Sequence, residues 1–184
     1  MTTPDDEVTR WALRARSGDR DALERFVRAT QRDVWRFVAH LANVGVADDL
    51  AQETYARALV SLRRFAGRSS ARTWLLVIAR RVVIDQVRMA QSRPRLSPEV
   101  DWAQEADRKT ADTGFEDTVE LNLLLDALAP DRREALVLTQ VLGLSYAEAA
   151  DIVGCPVGTI RSRVARARED LIEAAGRNGA SEVG

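Results

Sequence analysis

Along most of this chain the apolar positions recur at the 3.6-residue spacing of one helix face, so the pattern predicts an all-α protein. Val8, Trp11, Ala12 and Ala15 keep that spacing from Asp5 to Arg16, and Ser17-Gly18-Asp19 is a stop and restart. From Asp19 to Ala42 the set Leu23, Phe26, Val27, Val34, Phe37, Val38 and Leu41 predicts one long amphipathic helix. Asn43-Val44-Gly45 breaks it, Val46 to Leu62 forms a third helix, and Arg63 to Ser70 a loop around Gly67. Ala71 to about Ser92 is a fourth, with Trp74, Leu75, Ile78, Val82 and Val83 turned inward.

The period then lapses. Arg93-Pro94-Arg95-Leu96-Ser97-Pro98 closes the first bundle, and residues 94–113 are charged with no sustained apolar period, the pattern of a flexible linker. Helices resume over Phe115 to Ala129, Asp131 to Leu142, Ser145 to Val153 and Pro156 to about Ala175. The expected fold is therefore two helical domains, 1–93 and 114–176, joined by an acidic linker and followed by a disordered tail, 177–184.

Residues 145–172 carry the most specific local pattern. Ser145 and Glu148 have the spacing of a capping box. Gly154 suits a left-handed turn, and Pro156 suits the first position of the next helix. On that helix Ile160, Val164, Ala167 and Leu171 share the inward face; Ser162, Ala165, Arg166 and Glu169 lie opposite, with Arg161, Arg163 and Arg168 on the flanks. This is the layout of a helix-turn-helix whose second helix enters a major groove. Arg161 and Arg166 suit guanine, Ser162 a base or phosphate, and Ala165 a close approach or a thymine methyl. The plainer alternative is a helical hairpin whose arginines form surface ion pairs.

Charge changes the picture. The net charge of −1 weighs against a polyanion partner only if the charges are mixed, and they are segregated. Residues 63–95 hold nine Arg against Asp85 alone, whereas 96–154 hold four basic residues against thirteen acids, and 156–168 hold four Arg and no acid. Such runs also occur as solvated helix faces. The remaining chemistry is sparse. One Cys excludes an internal disulfide, and with one His there are too few ligands for a structural zinc site. The longest apolar run, Trp74 to Ala79, is far below the ~20 residues of a membrane span. The polar, acidic N-terminus does not resemble a signal peptide, so a reducing, cytoplasmic location is expected. His40 near a helix end favours a charge role there, and Cys155 reads as a small packing residue. No nucleophile–base set, phosphate-binding glycine loop or metal cluster is legible; a non-enzymatic protein without cofactors, and without a membrane or small-molecule partner, is expected.

Three segments carry a family resemblance. Residues 143–168, GLSYAEAADIVGCPVGTIRSRVARAR, closely resemble region 4 of extracytoplasmic-function (ECF, group 4) bacterial sigma-70 factors. Residues 48–58, DDLAQETYARA, resemble their region 2.2, and 65–75, FAGRSSARTWL, their region 2.3 loop and the start of region 2.4. Order and spacing agree over about residues 5 to 175, and the wording is similar to that of the actinobacterial sigma-C type. The resemblance implies core RNA polymerase as partner, with the β′ clamp helices on region 2 and the β flap on region 4, and promoter DNA as ligand. An anti-sigma factor is a further partner the family makes available.

By that resemblance Asp48, Asp49, Gln52 and Glu53 face the polymerase, with Leu50 either at the interface or in the core. Unaided, the acids read as a cluster favouring the helix dipole. For the loop and helix of the basic block 63–95 the resemblance implies contact with an opened −10 element. Gly67, Arg68, Ser69 and Ser70 are expected at a flipped base, flanked by Arg64 and Arg72, with Arg80, Arg81, Asp85 and Arg88 further along the helix. Region 4 implies −35 contacts from Val157, Gly158, Thr159, Arg161, Ser162, Arg163, Ala165 and Arg166. Trp35 and Trp74 sit on apolar stripes and are expected in the core. The linker either threads the polymerase, anchored by Trp102, or is a passive tether. The competing function is a stand-alone helix-turn-helix regulator of duplex DNA. It would not need a second basic domain or a long acidic linker.

Overall fold

The computed structural model describes residues 4–92 and 121–181. The expected linker 94–113, Trp102 and the start of the helix placed at Phe115 lie outside them. All regular elements among the described residues are helical, and they group into two compact units divided between Glu105 and Ala106. No helix among the described residues is long and apolar enough to cross a membrane.

The first unit packs four helices: α1 (Pro4–Arg16), α2 (Arg20–Leu41), α3 (Ala47–Leu62) and α4 (Ala71–Ser92). Asp19 caps α2 by accepting from Ala22 N at 2.9 Å, and Arg14 lies 2.7 Å away. That backbone donor, then the guanidinium, holds the Asp19 carboxyl below its ordinary range. Asn43 Oδ1 accepts from Gly45 N at 2.7 Å and shapes a 3₁₀ turn, Val44–Val46, so α3 begins one residue later than the periodicity suggests.

Phe26, Val34, Phe37 and Val38 of α2 meet Leu50, Ala58 and Leu62 of α3 and Leu75, Leu76 and Val82 of α4 in one buried core. Full burial of each large side chain stabilises by ~1.5–3 kcal/mol, which makes this core the main support of the unit. Thr30 is buried on the same face of α2, where its hydroxyl satisfies itself against Phe26 O and Tyr55 Oη, both at 2.8 Å. His40 lies in the last turn of α2, as its position near a helix end suggests, and is fully buried there. Trp35 and Trp74 are half-buried: Trp35 Nε1 donates to Asp48 Oδ1 at 2.9 Å, and the Trp74 ring tilts against Phe65 at 4.8 Å.

Among the described residues of the second unit the first element is helix α5 over 121–125, which ends in a turn before α6 (Pro130–Leu136). Pro130 at N1 of α6 has no N–H to leave orphaned. The expected Asp131–Leu142 helix is α only to Leu136. It widens into a π turn, Val137–Val141, where Leu142 N reaches back to Val137 O at 3.0 Å. α7 (Tyr146–Val153) and α8 (Val157–Ser181) follow. α8 is helical as far as Ser181, and residues 182–184 lie outside the described residues. Leu125, Leu138, Ile160, Val164 and Ala167 lie at or near complete burial and join these helices.

Candidate nucleic-acid interface

α7 and α8 form the helix-turn-helix. Glu148 N donates to Ser145 Oγ at 3.2 Å and Ser145 N donates to Glu148 Oε2 at 2.9 Å, which completes the capping box. Gly154 turns the chain at φ +76°, ψ +42°, with Gly154 N and Cys155 N both donating to Ala150 O. Pro156 stands one residue outside α8 instead of at its first position. Its carbonyl accepts from Thr159 N at 2.9 Å, so it contributes an acceptor to the first turn.

The side chains of α8 divide as the helical wheel requires. Ile160, Val164 and Ala167 are buried, whereas Val157, Gly158, Arg161, Ser162, Ala165 and Arg166 are exposed, with Thr159 between. Arg161 Cζ stands 6.0 Å from the centre of the Tyr146 ring, at the edge of cation–π range. Ser162 Oγ donates to Thr159 O at 2.9 Å. The flanking arginines are held by the unit itself: Arg163 Nε lies 3.1 Å from Asp131, and Arg168 donates to Gln140 Oε1 at 2.9 Å. Arg132 on α6 clamps both oxygens of Asp170 on α8 at 2.8 and 2.6 Å. That hydrogen bonding raises the Arg132 pKa and fixes α8 against α6. Arg163 and Arg168 therefore brace the recognition helix, while Arg161 and Arg166 present their guanidinium groups outward.

In the first unit Arg64, Gly67, Arg68 and Ser69 are exposed in the loop before α4. Gly67 adopts φ +66°, a conformation that a side chain would strain. Ser70 is committed to the fold. Its Oγ accepts from Thr73 N at 3.0 Å and donates to Thr73 Oγ1 at 2.9 Å, capping α4. Arg72 is half-buried and donates to Asp33 Oδ2 at 2.6 Å, tying α4 to α2. Arg81 and Arg88 are exposed and Arg80 half-exposed, so the basic surface continues along α4. Asp85 lies on the same helix with its carboxylate 2.6 Å from Arg57 Nη1.

On α3, Asp49, Gln52 and Glu53 are exposed, and Asp48 is half-buried beneath Trp35. Leu50 is only 6% exposed and packs in the core of the unit. Arg57 escapes a motif-based search. It pairs with Asp85 and with Glu53 at 2.7 Å, both of which raise its pKa, Asp85 first. The Glu53–Arg57 spacing of four is visible in sequence, whereas the partner on α4 is not. α1 supplies two more contacts with no sequence signal. Thr9 Oγ1 accepts from Ala71 N and Arg16 Nη1 donates to Phe65 O, each at 2.9 Å.

A capped helix-turn-helix with an outward basic face defines a DNA-binding protein, here coupled to a separate helical unit that carries its own basic loop. Residues 26–93 match the family "Sigma-70 region 2" and residues 118–171 match "Sigma-70, region 4". The chain is 57% identical over 172 residues to "ECF RNA polymerase sigma factor SigC" of Mycobacterium tuberculosis, covering 93% of each protein. It is 33% identical over 170 residues to the "ECF RNA polymerase sigma-E factor" of Escherichia coli, covering 86% of this chain and 88% of the other. Among solved structures, a sigma factor RpoE co-crystallised with the anti-sigma factor NepR from Bartonella quintana aligns with a TM-score of 0.64 and 28% identity, over 82% of this chain and 94% of that one. The chain belongs to the ECF sigma factors of the sigma-70 family. It is an RNA polymerase-associated initiation factor, and the stand-alone regulator is disfavoured by the region 2 match.

Proposed function

We propose that the chain binds core RNA polymerase through α3 and gives it promoter specificity by contacting two DNA elements with separate units. α8 reads a −35 duplex: Arg161 and Arg166 contact base edges, and Val157, Gly158, Thr159, Ser162 and Ala165 line the approach. Arg163 braces the helix beside phosphate. The loop Arg64, Gly67, Arg68 and Ser69 receives an unstacked base of an opened −10 element, with Ser70 and Arg72 holding its C-terminal side. Arg80, Arg81 and Arg88 track the adjoining backbone, and Asp85 sets the orientation of that surface through Arg57. Asp48, Asp49, Gln52 and Glu53 are the polymerase-facing groups, and Leu50 fixes their helix from beneath.

The observation that carries this reading is the pairing of an outward basic recognition helix with a second exposed basic loop in a separately cored unit. On the same reading the domains run over 1–93 and 114–176, the chain acts in the cytoplasm without catalysis of its own, and the β flap takes region 4. An anti-sigma factor is a regulatory partner; the support is the complex of the related RpoE with NepR.

Run-off transcription with purified core polymerase and a candidate promoter tests the proposal. Specific transcripts that require the chain are expected. A chain that neither binds core nor starts transcripts, while binding duplex DNA tightly alone, overturns it.

A further inference from the structure

Helix α1 lies outside the stretch matched to region 2, which begins at residue 26, yet it touches the −10 loop at three places. Arg16 Nη1 donates to Phe65 O at the start of the loop, 2.9 Å away and 49 positions along the chain. Thr9 Oγ1 accepts from Ala71 N at the end of the loop, again at 2.9 Å, across 62 positions. Between them the Leu13 side chain lies under Gly67: a β-carbon placed on that glycine would sit 3.4 Å from Leu13 Cδ1. Thr9, Leu13 and Arg16 follow a four-then-three spacing, so they share one face of α1 and line up beneath the loop.

Each contact serves a physical need. Ala71 N is one of the N–H groups that the start of α4 leaves without an intrahelical acceptor. Ser70 serves Thr73 N, so the Thr9 hydroxyl supplies the second cap from a different helix. Thr9 also donates to Asp5 O at 2.8 Å, which fixes its hydroxyl proton and leaves a lone pair aimed at Ala71. Arg16 brings a charged donor to a loop carbonyl, the stronger kind of hydrogen bond. Phe65 and Ala71 anchor the ends of the loop in the core, whereas its exposed centre, Gly67, Arg68 and Ser69, has little apolar surface of its own; α1 holds the two ends by hydrogen bonds and the left-handed centre from below.

We propose that Thr9 and Arg16 are positioning residues for −10 recognition, holding the 65–71 loop in its base-receiving conformation before DNA arrives. They touch no DNA; they act through the loop. The proposal rests on the assignment of that loop to an unstacked −10 base, and the test separates the two.

Holoenzyme is assembled from core polymerase and the full chain, wild type or carrying Thr9→Val with Arg16→Met. Its affinity is measured for single-stranded −10 oligonucleotides bearing each of the four bases in turn at the flipped position of a promoter that the wild type opens. The variant is expected to lose roughly three- to tenfold in discrimination between the bases, the size of one or two lost hydrogen bonds. Core affinity and −35 duplex affinity stay unchanged, and Thr9→Ser with Arg16→Lys, which keep an acceptor and a cationic donor, restore most of the loss. Where the double variant fails to fold, the single variants Thr9→Val and Arg16→Met carry the measurement. Unaltered discrimination in a folded variant overturns the proposal, as does a loss shared equally by −35 binding, which marks a general folding defect. A wild-type chain that opens no promoter with core removes the functional assignment itself.

Discussion

Single side chains divide into those that face outward and those the fold has already engaged. Arg161 and Arg166 stand on the exposed side of α8, whereas Arg163 shares its charge with Asp131. Arg161→Ala and Arg166→Ala should each weaken −35 recognition by ~1–3 kcal/mol and relax base preference at one position. Arg163→Ala should cost less and equally for all sequences; competition binding of holoenzyme to −35 variants distinguishes the two patterns. Tyr55 gives a pH prediction. Burial raises its phenol from 10.0 to about 12, the Thr30 hydroxyl opposes that shift, and Asp33 adds to it. The folded chain keeps this proton longer than the unfolded chain, so the associated stability is complete below pH 10 and is lost as pH rises towards 12. Denaturant midpoints measured between pH 9 and 12 should fall more steeply for the wild type than for Tyr55→Phe.

Among the elements, α7 and its turn were the most legible, because their determinants are local. Ser145, Glu148 and Gly154 specify a start and a stop through contacts within a few residues. Gly154→Ala meets open space, so its cost is the left-handed backbone alone, ~1–2 kcal/mol. Ser145→Ala should remove ~1 kcal/mol by losing the cap. The two sites share no hydrogen-bond partner, and their effects on the urea midpoint of the second unit's transition should add. The π turn at Val137–Val141 was not legible: its residues have the ordinary apolar period, which does not distinguish a ladder in which Leu142 N reaches Val137 O from an α-helical one. The roles of Ser70 and Arg72 were equally hidden. Both residue types suit DNA, and only the proximity of Thr73 and Asp33 shows that the fold employs them.

For the whole molecule, the net charge of −1 averages over a basic first-unit surface, a basic recognition helix and the acids between them. Each described unit owns a buried core, so each should unfold by its own transition. The three tryptophans among the described residues, Trp11, Trp35 and Trp74, lie in the first unit, which makes the test direct once Trp102 is replaced by Phe. In a Trp102→Phe chain tryptophan fluorescence follows that unit alone and far-ultraviolet circular dichroism follows both, so the two melting curves should not coincide. Superimposable curves would show that the units melt as one.

Helical class, the break between two domains, the capped turn and the segregated basic faces are all properties of neighbours along the chain. Period, caps, glycine and local charge act over a few residues, so the residue order alone carried them. Contacts across long separations required the fold: Leu50 turning inward, Arg57 spanning α3 to Asp85, Arg132 clamping Asp170, and α1 reaching under the 65–71 loop. These partners lie 28 to 62 positions apart where a hydrogen bond joins them. Which arginine meets DNA and which meets a carboxylate depends on what packing brings within hydrogen-bonding distance, and no periodicity in the residues encodes that distance.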